Sequence, residues 1–131
     1  MTTPFKSFFS LVIALIALGA CAQKNYNYDA LRPEKFRDSI TTQQVQLVDV
    51  RTPKEYAEQH IADAINIDFF DDENFEAAFK KLDNNKPVYI YCRSGNRSYK
   101  ASIKLAELGF KQVYDLHGGI LAWNKSFQKE P

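Results

Sequence analysis

Short apolar runs alternate with helix-like stripes along most of this chain. The runs are rich in β-branched and aromatic residues, which is typical of strands, and they occupy residues 45–50, 64–67, 88–91 and 112–116. Between them, apolar residues recur at helical spacing in segments that begin near Pro33, Pro53, Asp71, Arg97 and Gly119. This alternation predicts an α/β fold with a central, mostly parallel sheet and helices on both faces.

Local capping signals mark where one of these helices begins. Thr52 and Glu55 have the spacing of a capping box, and Pro53 occupies the first helical position between them. The pattern predicts a helix from Pro53 to about Gln59.

The first twenty residues have a different pattern. Lys6 is followed by thirteen apolar or small residues, 8–20, whereas a transmembrane helix needs roughly 20. Leu18-Gly19-Ala20-Cys21 resembles a bacterial lipobox. We therefore expect residues 1–20 to be a lipoprotein-type signal peptide, 21–27 a tether and 28–128 the folded domain. Cys21 would carry lipid and anchor an exported protein in the cell envelope, facing the periplasm or the cell exterior.

Composition and charge limit the classes of partner. Hydrophobic residues make up 45% of the chain, including ten Phe and seven Tyr, so a packed core is feasible. Lys6 is the one charged residue among the first twenty, and the remainder carries 16 basic and 16 acidic residues. A neutral domain gives no support for nucleic-acid binding. We expect a monomer whose partners are small molecules, besides the membrane reached through the lipid.

The loop after the apolar run 88–91 carries the most informative chemistry. Cys92 stands at the carboxyl end of that strand, where open α/β sheets bind ligands. The polar loop that follows leads into a helix, so its backbone N–H groups can surround an anion. Such a site favours a thiolate. Arg93 and Arg97 add positive charge, which makes a reactive Cys92 a better interpretation than an inert, buried thiol.

A reactive cysteine leaves several reactions open. The stretch from Cys92 to Arg97 is one residue shorter than the C-x5-R loop of cysteine phosphatases, so the ring fits one extra sulfur atom better than a phosphate. A disulfide mechanism needs a resolving thiol, and none remains if Cys21 is lipidated. The open alternatives are a sulfur-transfer enzyme, a non-enzymatic sulfur carrier or anion-binding module, and a phosphatase.

Three motifs in order resemble the rhodanese-like domains. One is the six-residue loop that begins at Cys92. Another is the segment 49–66, which is similar to D-V-R-x-x-x-E-[FY] followed by H-I-P-G-A-x-N. The third is the segment 117–123, which is similar to G-G-x-x-A-W. The likeness runs from about Tyr28 to Phe127. Ala62 and Asp63 stand where the family pattern has Pro-Gly, a change that affects a turn.

The resemblance implies a rhodanese-like fold and a sulfurtransferase that needs no cofactor. The Cys92 thiolate would attack the outer sulfur of thiosulfate or another sulfane donor, and the resulting persulfide would pass its sulfur to cyanide or a thiol. Arg93 and Arg97 would guide the anionic donor, while Gly95 bends the loop and Ser98 forms hydrogen bonds within it. The substrate-binding residues implied in this way are Arg93, Ser94, Gly95, Asn96, Arg97 and Ser98.

Other polar residues have plainer interpretations. His60, His117 and one cysteine do not make a cluster of metal ligands, so we expect no metal and assign both histidines to turns. Asp49 and Arg51 lie at the end of a strand, on the same edge of the sheet as Cys92. One role open to them is orientation of the loop, but we expect a structural ion pair there, for instance between Arg51 and Glu55.

Overall fold

The structure is a computed structural model, and it describes residues 25–128. The predicted signal segment and Cys21 lie outside the described residues. Within residues 25–128, five parallel strands form one sheet in the order β1-β5-β4-β2-β3. Their bounds are β1 Asn27–Leu31, β2 Gln46–Asp49, β3 Ile65–Asn66, β4 Val88–Tyr91 and β5 Gln112–Leu116.

In the described part of the chain, five helices alternate with these strands and cover both faces of the sheet, as predicted. Their bounds are α1 Pro33–Thr42, α2 Pro53–Glu58, α3 Asp72–Phe79, α4 Asn96–Glu107 and α5 Gly119–Phe127. Helices α3 and α4 bury Phe75, Phe79 and Leu105 against one face. Helices α1 and α5 bury Phe36 and Ile120 against the other.

Strand β4 is central, and every one of its residues is buried. Side chains alternate between the two faces of a strand. Val88 and Ile90 therefore pack under α3 and α4, while Tyr89 and Tyr91 pack under α1 and α5. Cys92 follows directly and lies on the same face as Ile90.

The edge strand β1 was not among the predicted strands. Its pattern of burial is weak, because only Leu31 of its five residues is buried. Pairing with β5 defines strand β1, in a register that runs from Asn27 opposite Gln112 to Leu31 opposite Leu116. Asn27, the last residue of the predicted tether, is the first residue of this strand.

Helix α2 begins as its capping signals predict. The Thr52 side chain accepts a hydrogen bond from the Glu55 backbone N–H, and the Glu55 carboxylate accepts one from the Thr52 backbone. Pro53 is the first helical residue, and the helix ends at Glu58, one residue before the predicted end. This box also fixes the Glu55 carboxylate beside the carboxyl end of β2, which matters for the site.

Candidate active site

Cys92 is the residue around which the loop after β4 closes. Its side chain is buried, with only 1% of its surface exposed. The sulfur accepts a hydrogen bond from the Gly95 backbone N–H at 3.0 Å and lies 3.3 Å from the Ser98 hydroxyl. The neighbouring Arg93 and Ser94 are exposed. A polar loop therefore covers the sulfur.

Gly95 allows the backbone to turn so that its N–H faces the Cys92 sulfur. It occupies the position before α4 with φ of 114°, in the left-handed region that other residues avoid. No side chain caps the start of α4. The first N–H groups of a helix have no intrahelical partner and carry partial positive charge, so they favour a nearby anion.

The start of α5 supports the loop from behind. The N–H groups of Ile120 and Leu121 donate to the carbonyl oxygens of Cys92 and Arg93 at 2.9 and 3.2 Å. In a trans peptide the N–H points opposite to the preceding carbonyl. The N–H groups of Arg93 and Ser94 therefore point away from α5, and two of the predicted loop donors have a fixed direction.

Gly119 permits this close approach of two backbones. A Cβ atom there would overlap the carbonyl group of Arg93 and the nitrogen of Ser94, and its φ of +62° also disfavours other residues. The sequence pattern placed Gly119 at the start of a helix and within the motif at 117–123, and it gave this residue no part in the site. The paired glycines at the start of α5, Gly118 and Gly119, were the available signal.

Arg97 forms a bidentate ion pair with Glu55. The two guanidinium nitrogens lie 2.7 and 2.9 Å from the two carboxylate oxygens. Arg97 is the main reason that the pKa of Glu55 falls from 4.5 to about 2. The positive charge of Arg97 is therefore partly neutralised by Glu55, and the guanidinium of Arg97 is held in place at the first turn of α4.

Arg51 forms the expected structural ion pair, but its partner is Asp49, so the example of Glu55 as the partner is wrong. Arg51 is buried and donates to both carboxylate oxygens of Asp49, at 2.7 to 3.1 Å, and to the carbonyl of Gln59. A buried charge needs a partner in the same dry environment. Asp49 is fully buried and supplies it, whereas Glu55 faces α4.

The remaining candidates divide by exposure. Arg93, Ser94 and Asn96 are exposed and line the outside of the loop, and Ser98 is buried beneath it. The ion pairs of residues 25–128 do not involve Arg93. Arg93 is thus the loop cation best placed to meet an anion from solvent.

The last predictions to compare with the structure concern the two histidines, metal binding and the membrane. His60 Nδ1 lies 2.8 Å from the Tyr56 carbonyl oxygen, and the His117 backbone N–H donates to the Leu31 carbonyl. Across residues 25–128, His, Cys, Asp and Glu side chains form no group of three or more that could hold a metal ion. Within the same residues, no helix is both long and apolar enough to cross a membrane.

A sequence model of the family described as "Rhodanese-like domain" matches residues 32–126. The chain belongs to this family. Among the described residues, the match includes helices α1 to α4 and strands β2 to β5 completely, and it ends one residue before the end of α5. It confirms the predicted family and fold.

Curated relatives of this rhodanese-like domain include enzymes of different lengths. A sulfurtransferase of Allochromatium vinosum is 40% identical over 63% of the chain and 74% of the relative. Thiosulfate sulfurtransferase GlpE of Pseudomonas syringae is 31% identical over 75% of the chain and 90% of the relative. A tRNA uridine(34) hydroxylase of Pelagibacter ubique is 33% identical over 83% of the chain, which spans only 36% of that protein.

A solved structure has the same architecture as this rhodanese-like domain. The crystal structure of a rhodanese-related protein from Thermoplasma volcanium is 29% identical, with a TM-score of 0.65, and the match covers 76% of this chain and 94% of that one. Together with the sulfurtransferase relatives, it supports sulfur transfer as the general class of chemistry.

Proposed function

We propose that this rhodanese-like domain is a thiosulfate sulfurtransferase that carries sulfur as a persulfide on Cys92. The hydrogen bond from the Gly95 N–H to the Cys92 sulfur is the observation that supports it best. Together with the Ser98 hydroxyl and the uncapped start of α4, this donor can stabilise the negative charge on the sulfur of a Cys92 persulfide. The name of the GlpE relative supports thiosulfate as the donor.

The reaction has two steps that balance without a cofactor. The Cys92 thiolate attacks the outer sulfur of thiosulfate, the S–S bond of the donor breaks, and sulfite leaves with the bonding electron pair. The product is an anionic persulfide on Cys92. Cyanide or a thiolate then attacks the outer sulfur and releases thiocyanate or a new persulfide, which restores the Cys92 thiolate.

The loop supplies electrostatic stabilisation for both steps. The N–H groups of residues 93–98 would hold the outer sulfur, and those of Arg93 and Ser94 are already directed away from α5. The exposed Arg93 would attract the doubly charged donor. Arg97 would act mainly on the loop, because Glu55 already holds its guanidinium.

Mass spectrometry of the intact protein after thiosulfate treatment tests the proposal. We expect a gain of one sulfur atom that cyanide reverses and that is absent in Cys92→Ser. Steady-state formation of thiocyanate should likewise depend on Cys92. Persulfide formation without turnover would indicate a sulfur carrier, and Cys92-dependent hydrolysis of an aryl phosphate would replace this proposal with a phosphatase.

We also propose that the domain is exported and held at the cell envelope by lipid on Cys21, with the protein facing the periplasm or the cell exterior. The apolar run 8–20 and the lipobox-like residues before Cys21 support this location. Metabolic labelling with a radioactive fatty acid tests it. We expect label in the full chain and none in Cys21→Ser, and equal labelling of both would contradict it.

A further inference from the structure

Phe70 is an exposed aromatic residue at the edge of the sheet that carries the Cys92 loop. It lies in the segment that follows β3, and Cys92 follows β4 directly. Because the strands are parallel, both segments leave the sheet at its carboxyl edge, where ligands bind in α/β folds. Phe70 is 64% exposed, more than any other large apolar residue in the described part of the chain.

Arg97 connects this ring with the Cys92 loop. Its guanidinium carbon lies 5.5 Å from the centroid of the Phe70 ring, a distance at which a cation is attracted to the π face. Arg97 also belongs to the turn around the sulfur, since the hydroxyl of the next residue, Ser98, lies 3.3 Å from Cys92 Sγ. One face of the ring is thus turned toward the guanidinium, while much of the ring stays open to solvent.

The segment around Phe70 has a fixed backbone. The Phe69 N–H donates to the Val50 carbonyl at 3.0 Å, and the Phe70 N–H donates to an Asp68 carboxylate oxygen at 2.9 Å. The Phe69 ring packs against the core and meets the Phe70 ring edge to face, with 5.7 Å between centroids. Single exposed apolar residues are common on protein surfaces. This one is held in place beside the loop around Cys92, where an incoming molecule can cover it.

Negative charge surrounds Phe70 along its own segment, because four carboxylates lie within three positions of it. Two cations contact this segment, and both already have partners. Lys104 pairs with Asp72 at 3.0 Å, and Arg97 pairs with Glu55. A molecule that covers the ring would therefore be repelled if it carried a carboxylate of its own. The four carboxylates are those of Asp68, Asp71, Asp72 and Glu73.

We propose that Phe70 binds the organic group of the sulfur acceptor, and that this acceptor is a small apolar thiol whose organic group is uncharged. This inference rests on the proposed function, because it concerns the step that removes sulfur from Cys92. Cyanide has no organic group for the ring to contact. A thiol with a phenyl or alkyl group would bury apolar surface against the ring, so Phe70 determines the preference among acceptors.

The transfer step balances without another reactant. The acceptor thiolate attacks the outer sulfur of the Cys92 persulfide, and the bond between that sulfur and Sγ breaks. The bonding electron pair leaves with Sγ, which restores the Cys92 thiolate, and the outer sulfur departs as an organic persulfide. During the attack, the substituent on the acceptor sulfur lies outside the loop, where the exposed part of the Phe70 ring can hold it in position.

Single-turnover transfer from the loaded protein tests this assignment. The full chain is treated with thiosulfate, freed of excess donor and mixed with benzyl mercaptan or with cyanide, and intact mass spectrometry follows the loss of one sulfur atom. In Phe70→Ala, the ratio of the benzyl mercaptan rate to the cyanide rate should fall about fivefold, because an apolar contact is lost.

Two control variants accompany this measurement. Phe70→Leu keeps an apolar side chain at the same place, so its ratio should stay within about twofold of the wild-type ratio. Ile103→Ala removes another exposed apolar side chain, farther along α4, and should keep the wild-type ratio.

The charge of the acceptor provides a second arm. Para-carboxybenzyl mercaptan differs from benzyl mercaptan by one carboxylate. The wild type should transfer sulfur to the carboxylated thiol several-fold more slowly at low ionic strength. Added salt should narrow the difference, because it screens the repulsion.

Equal ratios in the wild type and Phe70→Ala would overturn the assignment of Phe70, even with a common loss of rate, since the residue would then act only by positioning Arg97. Equal rates for the two benzyl thiols at low salt would overturn the uncharged class of acceptor. Either result, with a normal gain of sulfur from thiosulfate, would leave the proposed function standing. A wild type that gains no sulfur would overturn both.

Discussion

The guanidinium of Arg97 faces both carboxylate oxygens of Glu55, although the two residues are 42 positions apart. The pair joins the start of α4 to the start of α2. It also places a negative charge beside the loop that would receive an anionic donor. The pair therefore fixes the loop and weakens its attraction for anions.

Glu55→Gln should lower the KM for thiosulfate several-fold at low ionic strength, because the mutation removes a repelling charge and frees Arg97. It should also reduce the free energy of unfolding by roughly 1 kcal/mol through loss of the ion pair. Steady-state kinetics at two salt concentrations and urea denaturation measure these effects. Glu58→Gln, an exposed change of the same charge on α2, is the control. Equal KM values in the two variants would contradict the prediction.

Arg93→Ala should raise the KM for thiosulfate roughly fivefold, as expected for an exposed charge contact of about 1 kcal/mol. We expect kcat to change little, because the side chain is exposed and the backbone donors remain. Michaelis curves at constant ionic strength provide the measurement. Lys100→Ala, which removes an exposed charge further along α4, should leave KM unchanged. A loss confined to kcat would show that Arg93 has another role.

Gly119→Ala should remove most of the sulfurtransferase activity, because a Cβ atom would displace the carbonyl of Arg93 and the loop around Cys92. Gly109→Ala is a matched control, since that glycine also has positive φ, at +87°, but lies at the far end of α4. Both variants should lose stability, by about 1 kcal/mol or more. Only the first should lose thiocyanate formation. Wild-type activity in Gly119→Ala would show that the close approach of the start of α5 is not needed to hold the Cys92 loop.

Asp115 should make the folded domain less stable as pH rises. Its folded pKa of about 6 lies above the ordinary 3.8, so its contribution is fully present below about pH 4 and is lost as pH rises through 6. The loss amounts to at most about 3 kcal/mol. Asp115→Asn should therefore gain stability relative to the wild type at pH 8 but not at pH 4.5, as measured by urea denaturation. A constant difference between the two proteins would contradict this sign.

Asp63 is the one residue other than glycine with a positive φ in the described part of the chain, at 68°. Asp63→Gly should be more stable than Asp63→Ala by about 1 kcal/mol, because glycine adopts this conformation without the steric cost of a Cβ. Comparing two variants that both lack the carboxylate isolates the backbone effect. Thermal unfolding provides the measurement, and activity should be equal in both. Equal stability of the two variants would contradict this prediction and would mean that the backbone at residue 63 changes conformation to relieve the steric cost.

Local patterns determined much of this protein. Strands β2 to β5 and the helices follow from periodicity. The start of α2 follows from Thr52, Pro53 and Glu55, and the Cys92 loop follows from six consecutive residues. Each of these signals is read within a few positions along the chain, where neighbouring residues already constrain the backbone. The alternation of elements was enough for an α/β fold, and three ordered motifs were enough for the family.

Contacts between distant segments were decided only by the tertiary structure. Strand β1 has a weak pattern and exists through its pairing with β5, and Arg97 meets Glu55 only because parallel strands bring the starts of α2 and α4 together. Tyr28 and Asp115, 87 positions apart, meet across β1 and β5. Many groups in the chain could form a hydrogen bond or an ion pair with a given polar side chain. Which of them does so depends on which one is buried beside that side chain after the sheet is assembled.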